Sequence, residues 1–296
     1  MFSEKDLIEL FKDIGSKYAS KNGVTIGPGD DCASFNCSGK VFTSIDSSIE
    51  NVHFPDNADA SDIAYRSVAV ALSDIAAMGC KPIAYSVSLT SKNKDIDWYK
   101  SFARGLCEIS DLYEIPLIGG DLTKNILNIN VVVYGKPFKD KFLTRKGAQV
   151  GDSIFISSQV GQAAKGLQDW KSNKFDSEYI KYYMRPKAKI ELGEEIVKHA
   201  SSCIDTSDGL LNDLSHLLEE SKVGADIDLD SIPVTNDIDD IILGDDYDLC
   251  FTMPNKLADK KYFKIGEVKK GKKINLKSNK GLSLKKYLGY DHFKII

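Results

Sequence analysis

Along the first half of the chain, short apolar or alternating runs take turns with longer stretches whose apolar residues recur every three or four positions. VFTSID (41–46), PIAYSVSLT (82–90), IPLIGGD (115–121) and NINVVVYG (128–135) read as strands, the third ending in a turn. Between them, SDIAYRSVAVALSDIAAMG (61–79) reads as a helix capped by Ser61 and stopped by Gly79, and DWYKSFARGLCEISDLY as a second helix. The opening MFSEKDLIELFKDIG predicts a helix with Ser3 as cap, Asp6 closing a capping box and Phe2 stapled onto Leu7. After Gly135 the polar, basic, glycine-punctuated KPFKDKFLTRKGAQVGD interrupts the pattern. A second series follows, with DSIFIS, SSCID, ADIDLD and DYDLCFT as strands and GQAAKGLQDW, KAKIELGEEIVKHA and DGLLNDLSHLLEES as helices. The alternation predicts an α/β class with two domains, residues 1–140 and 141–296.

Composition narrows the function classes. A chain of 296 residues, 42% hydrophobic, can bury a substantial core, and a formal charge of −4 argues against a generally basic nucleic-acid surface. No apolar run reaches the roughly 18 residues of a membrane span. The N-terminus has no signal-peptide pattern, so cytoplasmic residence is expected, with neither nucleic acid nor membrane as partner. From Lys256 onward lysines crowd the chain, with KKGKK and SNKG as turn signals. The expected form is a solvated hairpin, because no aromatic residues alternate with the lysines as a base-stacking platform requires. The six cysteines are scattered without C-x-x-C or zinc-finger spacing and read as buried thiols of a reducing compartment. His199 and His216 fall in predicted helices, where surface or packing roles suffice.

Candidate chemistry lies with the aspartates at element ends. Asp30 and Asp31 sit in GPGDDCASF; Ser44 and Asp46 leave one face of a strand; Asp121 follows Gly119-Gly120; Asp205 closes SSCI, with Ser207 and Asp208 just beyond. Strand ends and strand-to-helix turns are where α/β folds gather ligand sites. Taken singly, Ser207 or Asp208 also suits a helix cap, Asp121 a turn and Asp30–Asp31 an Asx-turn. Asp74 differs, since a carboxylate in the last turns of a helix meets the negative end of the macrodipole unless a cation offsets it. Asp226, Asp228 and Asp230 alternate as in a strand and lack the glycine and distal glutamate of an EF-hand. Neither G-x-x-x-x-G-K-[ST] nor a helix-opening G-x-G-x-x-G is present. Hard oxygen ligands spread over several turns point to magnesium used together with substrate phosphates.

With these segments assembled, the chain resembles the thiamine-monophosphate kinase family, within the superfamily of aminoimidazole ribonucleotide synthetase. GPGDDCA (27–33), TSIDSSIENVHF (43–54), ALSDIAAMGCKP (71–82), IGGDLT (118–123), RKGAQVGD (145–152), IDTSDGLLNDLSH (204–216), GDDYDLCFT (244–252) and GYDHF (289–293) carry the resemblance, in family order across nearly the whole chain. It implies two α/β domains with N-terminal sheets pairing across a homodimer, and ATP-dependent phosphorylation of thiamine monophosphate by direct in-line transfer. It further implies magnesium ligands at Asp30, Ser44, Ile45 (through its backbone), Asp46, Asp74, Asp121, Asp205 and Asp208. ATP would be addressed by Gly120, Asp121, Arg145 and Ser207, and thiamine monophosphate by His53, Asp245 and Tyr290, with Asp46, Asp121 and Arg145 central to catalysis. The chain departs from the family pattern at Asp245, where glutamate is usual, at Tyr290, where tryptophan is frequent, at Asn51, where glycine is usual, and in a shortened stretch between Pro254 and Ile265. Aminoimidazole ribonucleotide synthetase and a non-catalytic nucleotide-binding protein are the alternative readings.

Overall fold

The computed structural model describes residues 3–92, 95–255, 261–281 and 284. It divides into two compact units, Met1–Ile75 with Cys80–Asp140, and Ala76–Gly79 with Lys141–Ile296.

The first unit opens with α1 (Glu4–Phe11), whose capping box forms as the sequence predicts. The Ser3 hydroxyl accepts the Asp6 amide at 3.3 Å and the Asp6 carboxylate accepts the Ser3 amide at 2.7 Å. The expected staple residue, Phe2, lies outside the described residues. β1 (Val24–Ile26) and β2 (Ser34–Phe35) form a small antiparallel ribbon that carries residues 27–33 as its connection. β3 (Phe42–Ile49), α2 (Ala60–Ala77), β4 (Cys80–Ser91), α3 (Ile96–Tyr113), β5 (Leu117–Lys124) and β6 (Asn128–Pro137) follow. The sheet order is β3-β6-β4-β5, antiparallel except for β4 and β5, whose parallel pairing uses α3 as the crossover.

One face of this sheet is apolar and covered. Val87, Leu89, Ile129, Val131 and Val133 are buried, as are Val68, Leu72 and Ile75 of α2 and Phe102, Leu106 and Ile109 of α3. Each such side chain contributes on the order of 1.5–3 kcal/mol by leaving water. The two helices approach closely at Gly105, where a Cβ would lie 2.1 Å from the Ser61 carbonyl oxygen. Two sequence expectations change here. The cap of α2 is Asp59, whose Oδ1 accepts the Ser61 amide and hydroxyl at 2.7 Å each, so Ser61 lies inside the first turn. β5 does not turn at Asp121 but runs on to Lys124, because the long β4 offers partners for Asp121 at Ser88 and for Lys124 at Ser91.

The second unit comprises β7 (Asp152–Ile156), α4 (Gln162–Lys171), α5 (Ile180–Met184), α6 (Ile190–Ile196), β8 (Ser202–Asp205), α7 (Leu210–Ser221), β9 (Gly224–Asp228), β10 (Leu249–Pro254), β11 (Phe263–Lys269) and β12 (Ile274–Lys277). Its sheet runs β12-β9-β11-β7-β10-β8. Leu210, Leu214, Leu217 and Leu218 form the apolar stripe of α7 and join Ile154, Ile204, Ile227 and Ile265 in one core. The lysine-rich end is not a hairpin, since β11 and β12 flank β9, one antiparallel and one parallel to it. Aspartates of the preceding segment draw it there: Asp226 accepts from Lys277 at 2.6 Å and from Asn275 at 2.9 Å, and Asp230 accepts the Asn279 amide at 2.7 Å. Of the cysteines, Cys80, Cys203 and Cys250 are buried as expected, whereas Cys32 and Cys107 are exposed and Cys37 is half-buried. Among the described residues no helix is long and apolar enough to cross a membrane.

Candidate functional site

In the first unit the connection 27–33 lines a cavity of about 370 Å³ together with Phe11, Phe102, Leu106 and residues 117–122 of β5. This brings Asp30 and Asp31 to the same cavity as Gly120 and Asp121. Asp30 accepts the neighbouring Asp31 amide at 2.8 Å, and Gly29 lies at φ 115, a backbone setting open mainly to glycine. Gly120 is required for a different reason. A Cβ there would stand 1.9 Å from the Val87 carbonyl oxygen, where β5 carries an extra residue against β4.

A second acidic group sits where β3 meets α2. Ser44 and Asp46 alternate along β3 opposite Val133 and Val131, and the Ser44 hydroxyl donates to the Asp74 carboxylate. Ile45 shows its side chain on the other face, 65% exposed. Asp74 lies in the last turn of α2, where the helix dipole disfavours a carboxylate. Burial first, and then the Asp74 charge, push the Asp46 carboxyl up to about 6. Among the described residues no three His, Cys, Asp or Glu side chains gather as a closed metal centre. An acid pair of this kind suits magnesium, which takes one or two carboxylates and completes its shell with water and phosphate oxygens.

His53 follows β3 in a tight turn. Its Nδ1 accepts the Ile49 amide at 3.1 Å, so the neutral ring carries its proton on Nε2. The fully buried Arg66 holds the same turn by donating Nε to the His53 carbonyl at 3.2 Å. Asn51, at φ 64, explains the departure from glycine at this position, since asparagine is among the few other residues that tolerate the left-handed region.

In the second unit Asp205 is buried at the end of β8, and Ser207 and Asp208 form the turn into α7. The capping expectation for Ser207 or Asp208 is corrected: the N-cap position is Gly209, at φ 112, and the turn is held from the helix side. Asp213 accepts the Asp208 amide at 3.1 Å. Burial, then Asp205, then Asp208 push the Asp213 carboxyl up to about 8, against the opposing charge of Arg145. Asp213 therefore joins the predicted group of Asp205, Asp208 and Arg145. The Arg145 loop is fixed by Ser221, whose hydroxyl donates to the Arg145 carbonyl at 2.9 Å and accepts the Gly147 amide at 3.0 Å.

The acids of GDDYDL divide their tasks. Asp246 accepts the Gly161 and Ala163 amides at 2.6 and 3.1 Å, anchoring the start of α4, and burial pushes its carboxyl up to about 7. Asp248 is buried, accepts the Ser158 hydroxyl at 2.7 Å and pairs with Lys189 at 2.9 Å. Asp245 is half-buried, at φ 75, with its amide donating to the Ser207 carbonyl at 2.9 Å. Tyr290 lies outside the described residues.

A family profile described as AIR synthase related protein, N-terminal domain, matches residues 29–136. The thiamine-monophosphate kinase of Haemophilus influenzae is 34% identical, with 92% of this chain and 93% of that protein covered. The chain belongs to the thiamine-monophosphate kinase family. Among solved structures, the family's enzyme from Stenotrophomonas maltophilia superposes with a TM-score of 0.80 at 29% identity, covering 89% of this chain and 94% of the other. AaThiL complexed with AMPPCP and TMP superposes with a TM-score of 0.80 at 26% identity, covering 99% of each chain.

Proposed function

We propose that this chain transfers the γ-phosphoryl group of ATP to thiamine monophosphate, giving thiamine diphosphate and ADP. Family membership over nearly the whole chain sets the reaction class, and the observation that carries the reading is the Asp46–Asp74 pair, whose crowded charge a divalent cation relieves. Magnesium fits these donors: Asp30, Ser44, the Ile45 backbone, Asp46, Asp74 and Asp121 would hold it in the first unit, and Asp205 and Asp208 in the second. Bound magnesium neutralises phosphate charge and draws electron density from the phosphoryl group. Gly120, Asp121 and Ser207 address ATP, and the Arg145 guanidinium grips phosphate oxygens through its planar fork. His53 offers Nε2–H to the acceptor, while Asp245 and Tyr290 suit the cationic thiazolium and its flat ring.

No general base is assigned. A phosphate monoester with a second pKa of about 6 is largely dianionic at neutral pH, so the acceptor is its own nucleophile and attacks in line without a covalent enzyme intermediate. A reaction that consumes ATP and thiamine monophosphate suits the cytoplasm. The open face of the first sheet, where Thr43, Ile45 and Ser47 are exposed opposite the covered core, supports the reading of a homodimer; light scattering should give twice the chain mass. The reading is tested by supplying ATP and magnesium with either thiamine monophosphate or formylglycinamidine ribonucleotide. Thiamine diphosphate should form in the first mixture and ADP should not be released in the second; the reverse pattern would assign the chain to the synthetase reaction.

A further inference from the structure

The segment after Gly244 is tied to the end of β8 residue by residue. The Asp245 amide donates to the Ser207 carbonyl and the Tyr247 amide to the Thr206 carbonyl, each at 2.9 Å, while the Asp248 amide donates to the Thr206 hydroxyl at 3.1 Å. Gly244 allows this approach, since a Cβ there would lie 2.3 Å from the Ser207 oxygen. Asp245 and Tyr247 both sit in the left-handed region, at φ 75 and 51. Aspartate tolerates that region, whereas a bulky tyrosine enters it only where its surroundings hold it, and such positions concentrate at ligand sites. Asp246 and Asp248 spend their carboxylates on anchoring, as described above. The half-buried side chains of Asp245 and Tyr247 meet each other instead, with the Tyr247 hydroxyl donating to Asp245 Oδ1 at 3.1 Å.

We propose that Tyr247 is a positioning residue that fixes the Asp245 carboxylate for recognition of the thiamine acceptor. The proposal rests on the assignment of Asp245 to that acceptor. An aspartate has one rotatable bond fewer than the usual glutamate, and a hydroxyl bound to one carboxylate oxygen sets the plane of the group. An anion held in this way meets a cationic ring without first being ordered, which is how preorganisation raises affinity. The backbone bonds to Thr206 and Ser207 keep the pair in register with the end of β8, so the tyrosine acts on a carboxylate whose Cα is already placed.

The test is steady-state kinetics of Tyr247→Phe, Asp245→Ala and the double variant, with Tm measured for each. Tyr247→Phe keeps the ring and should raise the KM for thiamine monophosphate on the order of tenfold while leaving the KM for ATP within about twofold. Tyr247→Asn suits the left-handed backbone and is too short to reach Asp245, so it should give the same split if the phenylalanine variant folds poorly. On the Asp245→Ala background neither change should add a further rise. If Asp245→Ala raises this KM and both Tyr247 variants leave it unchanged, or if the effects simply add, the positioning role is overturned. If Asp245→Ala itself leaves the KM for thiamine monophosphate unchanged, the assignment of Asp245 to the acceptor fails.

Discussion

Replacing Asp46 by asparagine should make the metal-free protein more stable while abolishing most of its turnover. Burial and the neighbouring Asp74 raise the Asp46 carboxyl from 3.8 to about 6 in the folded chain. Between about pH 4 and 6 the folded state therefore keeps a proton that the unfolded state has released. The stabilisation linked to this group is complete below about pH 4 and is lost as pH rises through about 6. Above that the loss levels off at about 3 kcal/mol, taking 1.36 kcal/mol for each tenfold change in acid dissociation. Asparagine has nearly the same shape and cannot ionise, so the variant escapes the loss. At roughly 2–4 °C per kcal/mol for a chain of this size, the metal-free Tm should rise by about 6–12 °C at pH 7.5, with the gap closing towards pH 4. Scanning calorimetry in EDTA across that range reads the effect, and added magnesium should raise the Tm of the parent more than that of the variant. A variant less stable than the parent at pH 7.5, or a difference that does not change with pH, would refute the picture of a crowded acid pair.

Gly120→Ala should separate β4 from β5 beside Asp121, because its Cβ would stand 1.9 Å from the Val87 oxygen; a stability loss of about 1–3 kcal/mol with a fall in kcat is expected from urea melts and initial rates. Asp246→Ala removes the acceptor of the Gly161 and Ala163 amides and should lower stability by about 1–2 kcal/mol as a lost cap, whereas Asp246→Asn should retain part of it.

What could be read from the chain was what local chemistry decides. The capping box at Ser3 and Asp6, the helix of α7 and the shared strand face of Ser44 and Asp46 all follow from spacing within one or two turns, whereas the meeting of Ser44 with Asp74 across thirty residues does not. The caps at Ser61 and at Ser207 or Asp208 were misplaced by only one or two residues, but the larger misreadings came from partners distant in sequence. Gly119-Gly120-Asp121 carries every local sign of a turn, yet β4 supplies a neighbour for each residue from Gly120 to Lys124. The lysine-rich end looks like a hairpin until the aspartates of β9 and the turn after it claim Lys277 and Asn279. Asp213 escaped notice because it lies inside an amphipathic helix, and only the fold brings it to Asp205 and Asp208. The one available sign was that it stands at a buried position of that helix, where an acid needs a partner.

Direct transfer to the acceptor phosphate is the central claim, and rapid-quench turnover with ATP labelled at the γ-phosphate tests it most directly. The label should pass into the terminal phosphate of thiamine diphosphate with one ADP formed per product, and no labelled protein should appear at any time. Labelled protein that forms and decays at the rate of turnover, or label released as inorganic phosphate without thiamine diphosphate, would contradict the account.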